Sequence, residues 1–141
     1  MHRTGPLFHC HPKSVAHDCR DRSRAYDLTC HLRQRPHRSD HVDDLKSRLA
    51  GAALVFFDGT VWRDDELIVQ GLGTKTGQGM GHISMSGEHG AIESLAGLNV
   101  GRKMFLHINN SNPALLAGSD ERKELEQAGW QIPADGMEIT L

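Results

Sequence analysis

The sequence predicts an α/β domain, a sheet covered by helices, over residues 42–141. Three observations predict it. Two apolar runs of strand length stand far apart in the chain, one over residues 53–58 and one within residues 100–108. The stretches between and after them open on acidic or capping residues and close on glycine, as helices do. The composition changes abruptly near His41-Val42, so the regular pattern has a clear start.

The formal net charge of -2 hides two unlike regions. Residues 1–41 hold seven of the ten histidines and all three cysteines, Cys10, Cys19 and Cys30. Eight basic against four acidic residues give this region +4, with no Glu. It shows neither helical nor strand periodicity and few large apolar side chains, so disorder is expected over residues 1–41. The same Arg, His, Cys and Pro richness is what GC-rich coding DNA yields in another reading frame, which makes this segment a candidate out-of-frame or non-native stretch. Residues 42–141 carry eight basic and fourteen acidic residues, a net of -6, with ordinary apolar content. At 141 residues the chain is long enough for one domain with a core. No run is long and apolar enough to span a membrane, and no secretory signal is visible. Three cysteines in a polar stretch make no disulfide framework, so a cytoplasmic location is the expectation.

From Val42 the elements follow in order. Residues 43–51 read as a short helix, with Asp43 and Asp44 at its start, Lys46 and Arg48 towards its end and Gly51 as a stop. A strand over residues 53–58 runs into Asp58. Residues 63–70 predict a helix ended by Gly71. Five glycines among residues 71–82 predict an irregular loop that delivers His82. Ser86 is the expected cap of a helix over residues 87–98, with Ile92, Leu95 and Leu98 on one face. A second strand lies within residues 100–108, then the polar turn Asn109-Asn110-Ser111-Asn112-Pro113. Ser119 opens a helix over residues 120–128, ended by Gly129. Residues 130–132 and 137–141 are expected as short closing strands about the turn Pro133-Ala134-Asp135-Gly136.

The chemistry is expected at the strand tips. A carboxylate directly after Phe56-Phe57, and an imidazole directly after Met104-Phe105-Leu106, place Asp58 and His107 where a metal or acid/base site can form. Each has a plainer reading: Asp58 as a turn residue before Gly59-Thr60, and His107 as a core histidine bonded to backbone. His82 after Gly-Met-Gly is either a site residue or an exposed loop residue, and His89 in Gly-Glu-His-Gly reads as surface. Asn109 and Asn110 satisfy turn backbone or border a substrate cleft. The glycines of residues 71–81 lack the phosphate-loop pattern.

Several motifs in one order carry a resemblance. They are Phe56-Phe57-Asp58-Gly59-Thr60-Val61-Trp62 with Asp64-Asp65-Glu66; Gly73-Thr74-Lys75-Thr76-Gly77; Met80-Gly81-His82; Met85-Ser86-Gly87; His107-Ile108-Asn109-Asn110-Ser111-Asn112-Pro113; Ala128-Gly129-Trp130; and Asp135-Gly136-Met137-Glu138-Ile139. Together, from Val42 to Leu141, they resemble the C-terminal part of the PqqB family (pyrroloquinoline quinone, PQQ, biosynthesis), within the metallo-β-lactamase-fold superfamily. The resemblance implies the C-terminal half of an αββα sandwich. It implies that Asp58 is the strand-end aspartate able to bridge two metals, that His107 is the last strand-end histidine, and that His82 is an additional histidine facing the cleft. The implied cofactor is a divalent metal, iron or zinc. The superfamily's first signature, His-x-His-x-Asp-His, does not occur here. His9-Cys10-His11 with His17-Asp18 has the wrong spacing and no buried strand before it.

The implied function is a step of PQQ biosynthesis, a metal-dependent, oxygen-using hydroxylation of a precursor derived from a Glu-Tyr peptide. Other proteins of that pathway are the implied partners. An alternative from the same resemblance is carriage of the quinone or its precursor to the periplasm. With two ligands of the usual five or so, the chain is expected to be a truncated and inactive fragment that folds poorly alone. A third reading is a small interaction domain with a basic arm. For residues 1–41, a specific zinc module lacks any CxxC knuckle, and a nucleic-acid arm rests on charge alone, so neither is the expectation.

Overall fold

The structure, a computed structural model, describes residues 25–27 and 39–141. Its elements in chain order are β1 (Ala25–Asp27), α1 (Ser39–Leu49), β2 (Leu54–Asp58), α2 (Glu66–Val69), α3 (Gly77–Met80), α4 (Ala91–Ser94), β3 (Arg102–Leu106), a 3-10 turn (Pro113–Leu115), α5 (Asp120–Gln127) and β4 (Trp130–Gln131). The four strands form one parallel sheet in the order β1-β2-β3-β4. Parallel neighbours cannot be joined by a hairpin, so the chain between them must cross back over the sheet. Helices α2 to α4 lie in the β2–β3 connection, and α5 lies between β3 and β4.

The sheet is tied together by apolar packing. Phe57, Phe105 and Trp130, one from each of β2, β3 and β4, are buried. Phe105 stacks on Trp130 with ring centroids 4.1 Å apart, and Phe57 meets Trp130 edge-on at 5.9 Å. Aromatic pairs in such arrangements contribute about 0.5–1.5 kcal/mol each beyond their burial. Leu49 of α1, Leu95 after α4 and Leu125 of α5 join the same cluster, which docks these helices on the sheet.

Local chemistry explains several elements and corrects others. Ser119 accepts the backbone N–H of Arg122 and opens α5, and Gly129 at φ 77° ends it, as the sequence predicts. α1 begins at Ser39, four residues before the expected start. The expected helix over residues 87–98 shrinks to Ala91–Ser94. Ser86 does not cap it; its hydroxyl donates to Glu124 Oε1 at 2.6 Å, while Gly87 takes φ 90° and breaks any helical start. The glycine-rich loop contains one helical turn, α3. The Thr76 hydroxyl caps it by accepting from Gly79, Asp64 Oδ1 accepts from Gln78, and Gly81 at φ 88° closes it. Residues 137–141 form no strand; after β4 the described chain makes only the turn closed by Met137 N–H to Ala134 O.

The disorder expected of residues 1–41 lies outside the described residues for 1–24 and 28–38. Within that span, Ala25–Asp27 pair with β2 and Ser39 opens α1. Cys10, Cys19, Cys30 and the His9–His17 cluster also lie outside the described residues. No described helix is long and apolar enough to cross a membrane.

Candidate metal centre

The parallel register decides where the polar tips go. Asp58 is paired with Leu106, so His107 follows one residue beyond the same edge. Both side chains therefore leave the carboxyl ends of adjacent parallel strands, where open α/β sheets hold their ligands. The backbone continues this alignment past the strands. Gly59 N–H donates to Leu106 O at 2.8 Å, and Asn109 N–H donates to Thr60 O at 3.1 Å. Gly59 is required by close approach: a Cβ there would lie 2.9 Å from Phe105 Cβ and 3.2 Å from Leu106 O.

His82 arrives from the crossover. The α3 turn ends at Gly81, His82 N–H donates back to Gly77 O, and Met85 and Ser86 bond to Val61 and Trp62. The loop is thereby fastened to the chain just after β2. The imidazole of His82 is buried, and its Nδ1 lies 2.7 Å from Asp58 Oδ2. His107 Nδ1 lies 3.0 Å from Asp58 Oδ1. Each carboxylate oxygen thus faces one imidazole nitrogen. The carboxylate is 4% exposed and the His107 side chain 57% exposed, so the site is closed beneath and open on one side.

Thr60 sits among the three. Its Oγ1 is 2.8 Å from Asp58 Oδ1, 3.1 Å from His82 Nδ1, 3.1 Å from His107 Nδ1 and 3.1 Å from His107 O. A nucleophilic relay through these residues is excluded by connectivity. In each histidine the same nitrogen, Nδ1, faces both the hydroxyl and the carboxylate, whereas a relay needs opposite nitrogens.

The donor set fits a divalent cation. Among the described residues, Asp58, His82 and His107 form a group whose ligand atoms lie within 4.8 Å of one another. Two imidazoles and one carboxylate suit zinc and non-haem iron. A buried carboxylate also needs positive charge or several donors beside it, which this arrangement supplies. All three metal candidates from the sequence are therefore brought together.

The cleft candidates separate. Asn109 is half-buried at the rim, its backbone bonded to Thr60, and Asn110 is exposed at the turn. The asparagine that the sequence reading missed is Asn112, 1% exposed. Its Nδ2 donates to Gly59 O at 3.0 Å and lies 3.2 Å from Met85 Sδ, and its Oδ1 accepts from Ala114 N–H. It locks the turn after β3 to the tip of β2. Glu66, also missed, is buried behind the same tip. Its Oε2 accepts from the N–H groups of Trp62 and Arg63, while Oε1 has no partner. Burial pushes its carboxyl above the ordinary value of 4.5, against the pull of those two N–H groups. His89 is on the surface, as expected.

Comparison with known proteins matches both sequence and fold. A model described as the beta-lactamase superfamily domain matches residues 37–108. A protein named coenzyme PQQ synthesis protein B from Rhodopseudomonas palustris is 75% identical over 100 residues, 71% of this chain and 32% of that protein. The protein of the same name from Bradyrhizobium diazoefficiens is 71% identical over 100 residues, with the same shares. The crystal structure of Zn²⁺-bound PqqB from Methylobacterium extorquens superposes with a TM-score of 0.67 at 52% identity. That match covers 70% of this chain and 36% of the other. The chain spans about a third of the length of the relatives it matches.

Proposed function

The chain belongs to the beta-lactamase superfamily, with the metallo-β-lactamase-like fold expected from its sequence, and on that premise we propose that it acts in PQQ biosynthesis through a divalent metal centre. The observation that carries this is the convergence of Asp58, His82 and His107 at the carboxyl ends of two parallel strands. The names of the relatives supply the pathway.

In this reading Asp58 would be the buried anionic ligand, with His82 and His107 as the imidazole ligands beside it. Asn109 and Asn110 border the open side, where a peptide-derived precursor would enter. A bound cation supplies Lewis acidity and, if it is iron, a place for oxygen chemistry. The finer proposal is oxygen-dependent hydroxylation of the tyrosine-derived part of a Glu-Tyr precursor, with iron or zinc as the metal, in the cytoplasm and alongside other proteins of the pathway. Three ligands fix only one side of a metal, and the sequence lacks the His-x-His-x-Asp-His motif. No turnover is therefore expected from the 141 residues alone.

The test has two parts. Equilibrium dialysis of the chain against zinc should show, beside any zinc held by the histidines and cysteines of residues 1–41, one site that Asp58→Asn abolishes, because an amide oxygen is neutral and a weaker ligand. In a full-length relative, the same change at the position matching Asp58 should stop PQQ production. Normal production there would favour the carrier reading, which needs no metal.

A further inference from the structure

The hydroxyl of Thr60 is the hub of the three ligands. No other described side chain bonds to Asp58, His82 and His107 at once. We propose that Thr60 is the positioning residue of the metal centre, holding the Asp58 carboxylate and the two imidazoles in their binding arrangement. This rests on the metal reading above.

A hydroxyl has one proton and two lone pairs. The shortest contact, 2.8 Å to Asp58 Oδ1, takes the proton. That bond fixes the carboxylate about its last torsion, a broad one that packing alone defines poorly. Its oxygen also lies 3.1 Å from both His82 Nδ1 and His107 Nδ1, whose closer neighbours are the carboxylate oxygens at 2.7 and 3.0 Å, so the hydroxyl sits between the two rings and sets their spacing about Asp58. The hydroxyl is itself fixed. Thr60 is β-branched, which restricts its χ1, and it is 9% exposed. Its carbonyl accepts from Asn109 N–H, and the preceding Gly59 is held by Leu106 O and by Asn112. Thr60 is thus carried on backbone bonded to both strand tips, and it transmits their register to the ligands. Partners of this kind, bonded to a ligand rather than to the metal, commonly govern metal affinity by ten- to a hundredfold.

The test compares Thr60→Val, which keeps the shape and removes the hydroxyl, with Thr60→Ser, which keeps the hydroxyl. Zinc affinity is measured on the full chain by competition with a chromophoric chelator. The visible spectrum of the cobalt(II)-loaded chain is recorded as a readout of ligand geometry, and thermal unfolding of the metal-free chain as a readout of folding. Thr60→Val should weaken zinc by about ten- to a hundredfold and alter the cobalt spectrum, while Thr60→Ser should stay within about threefold of the parent and keep its spectrum. Unchanged affinity and spectrum in Thr60→Val would overturn the proposal, even if its unfolding temperature fell. So would a loss in Thr60→Ser equal to that in Thr60→Val, since the methyl would then be the part that matters. Absence of zinc binding by the unsubstituted chain would overturn the metal reading, and this inference with it.

Discussion

The tips of β2 and β3 are neighbours in register, yet they bring their ligands to the site by opposite means. At the β2 tip, Asp58 is buried, keeps ordinary strand geometry and is followed by Gly59, bonded to Leu106 of the next strand, and Thr60, bonded to Asn109 just beyond that strand. At the β3 tip, His107 takes φ 55° and leaves more than half of its side chain in solvent. A left-handed conformation is uncommon outside glycine and costs about 1 kcal/mol or more at a β-carbon-bearing residue. The β2 tip is a buried anchor, held by backbone bonds to the segment that ends β3. The β3 tip is a strained placement that turns the imidazole back over the carboxylate. Strain of this kind collects at functional sites, where the surrounding structure over-determines it.

Substitutions can break this contrast. The largest effect is expected for Asp58→Asn: loss of at least about a hundredfold in zinc affinity, beyond the range of groups that merely touch a ligand, with lowered thermal stability because two imidazoles lose their shared carboxylate. Isothermal titration and thermal unfolding of the same sample would read both. His107→Gly should divide the two properties. Zinc binding should fall by about tenfold or more, while the metal-free chain should unfold at the same or a higher temperature, because glycine relieves about 1 kcal/mol of left-handed strain. Equal destabilisation by both changes would erase the distinction between anchor and strained ligand. Gly59→Ala places a methyl against Phe105 and Leu106 O and should cost about 2 kcal/mol in urea unfolding, since both neighbours are rigid.

The smallest effect concerns Glu66, behind the β2 tip. Its carboxyl is raised above 4.5 by burial, so the folded chain binds this proton more tightly than the unfolded chain does. Stability should therefore decline as pH rises from about 4.5 through the folded value, and that loss should persist above it. Glu66→Gln should flatten this part of the stability–pH curve and change stability at pH 7 by about 1 kcal/mol or less, measured by urea unfolding at several pH values. A slope unaltered by the change would remove Glu66 from the account of the anchor.

The strand tips were legible because each breaks a local rule: an apolar run of strand length ends in a group that water or a cation should hold. What the sequence did not contain was the register. Asp58 and His107 are 49 residues apart, and only the parallel pairing puts them at one edge. His82 was expected to come from a loop; the helical turn that fixes it depends on Asp64 and Thr76 capping a glycine-rich segment, a bond pattern that composition conceals. Thr60 and Asn112 were passed over because short polar residues in turns usually face water, whereas here both are buried among ligands and backbone. The closing strand over residues 137–141 failed for the opposite reason. The turn Pro133-Ala134-Asp135-Gly136 suggested it, but Met137 and Leu141 remain largely exposed. Ser86 had the right identity for a cap, and Glu124 from a distant helix took its hydroxyl.

The all-parallel connectivity also sets an order of events during folding. With no hairpin among the described strands, Asp58 and His107 meet only after the whole β2–β3 crossover has closed, at a loop entropy that grows with its length. His82 lies within that same crossover, so the three ligands assemble together and late. A cation that binds the finished site has little to hold at the transition state. Zinc added to the chain is therefore expected to slow unfolding and to leave the folding rate nearly unchanged, which stopped-flow unfolding and refolding with and without zinc would read.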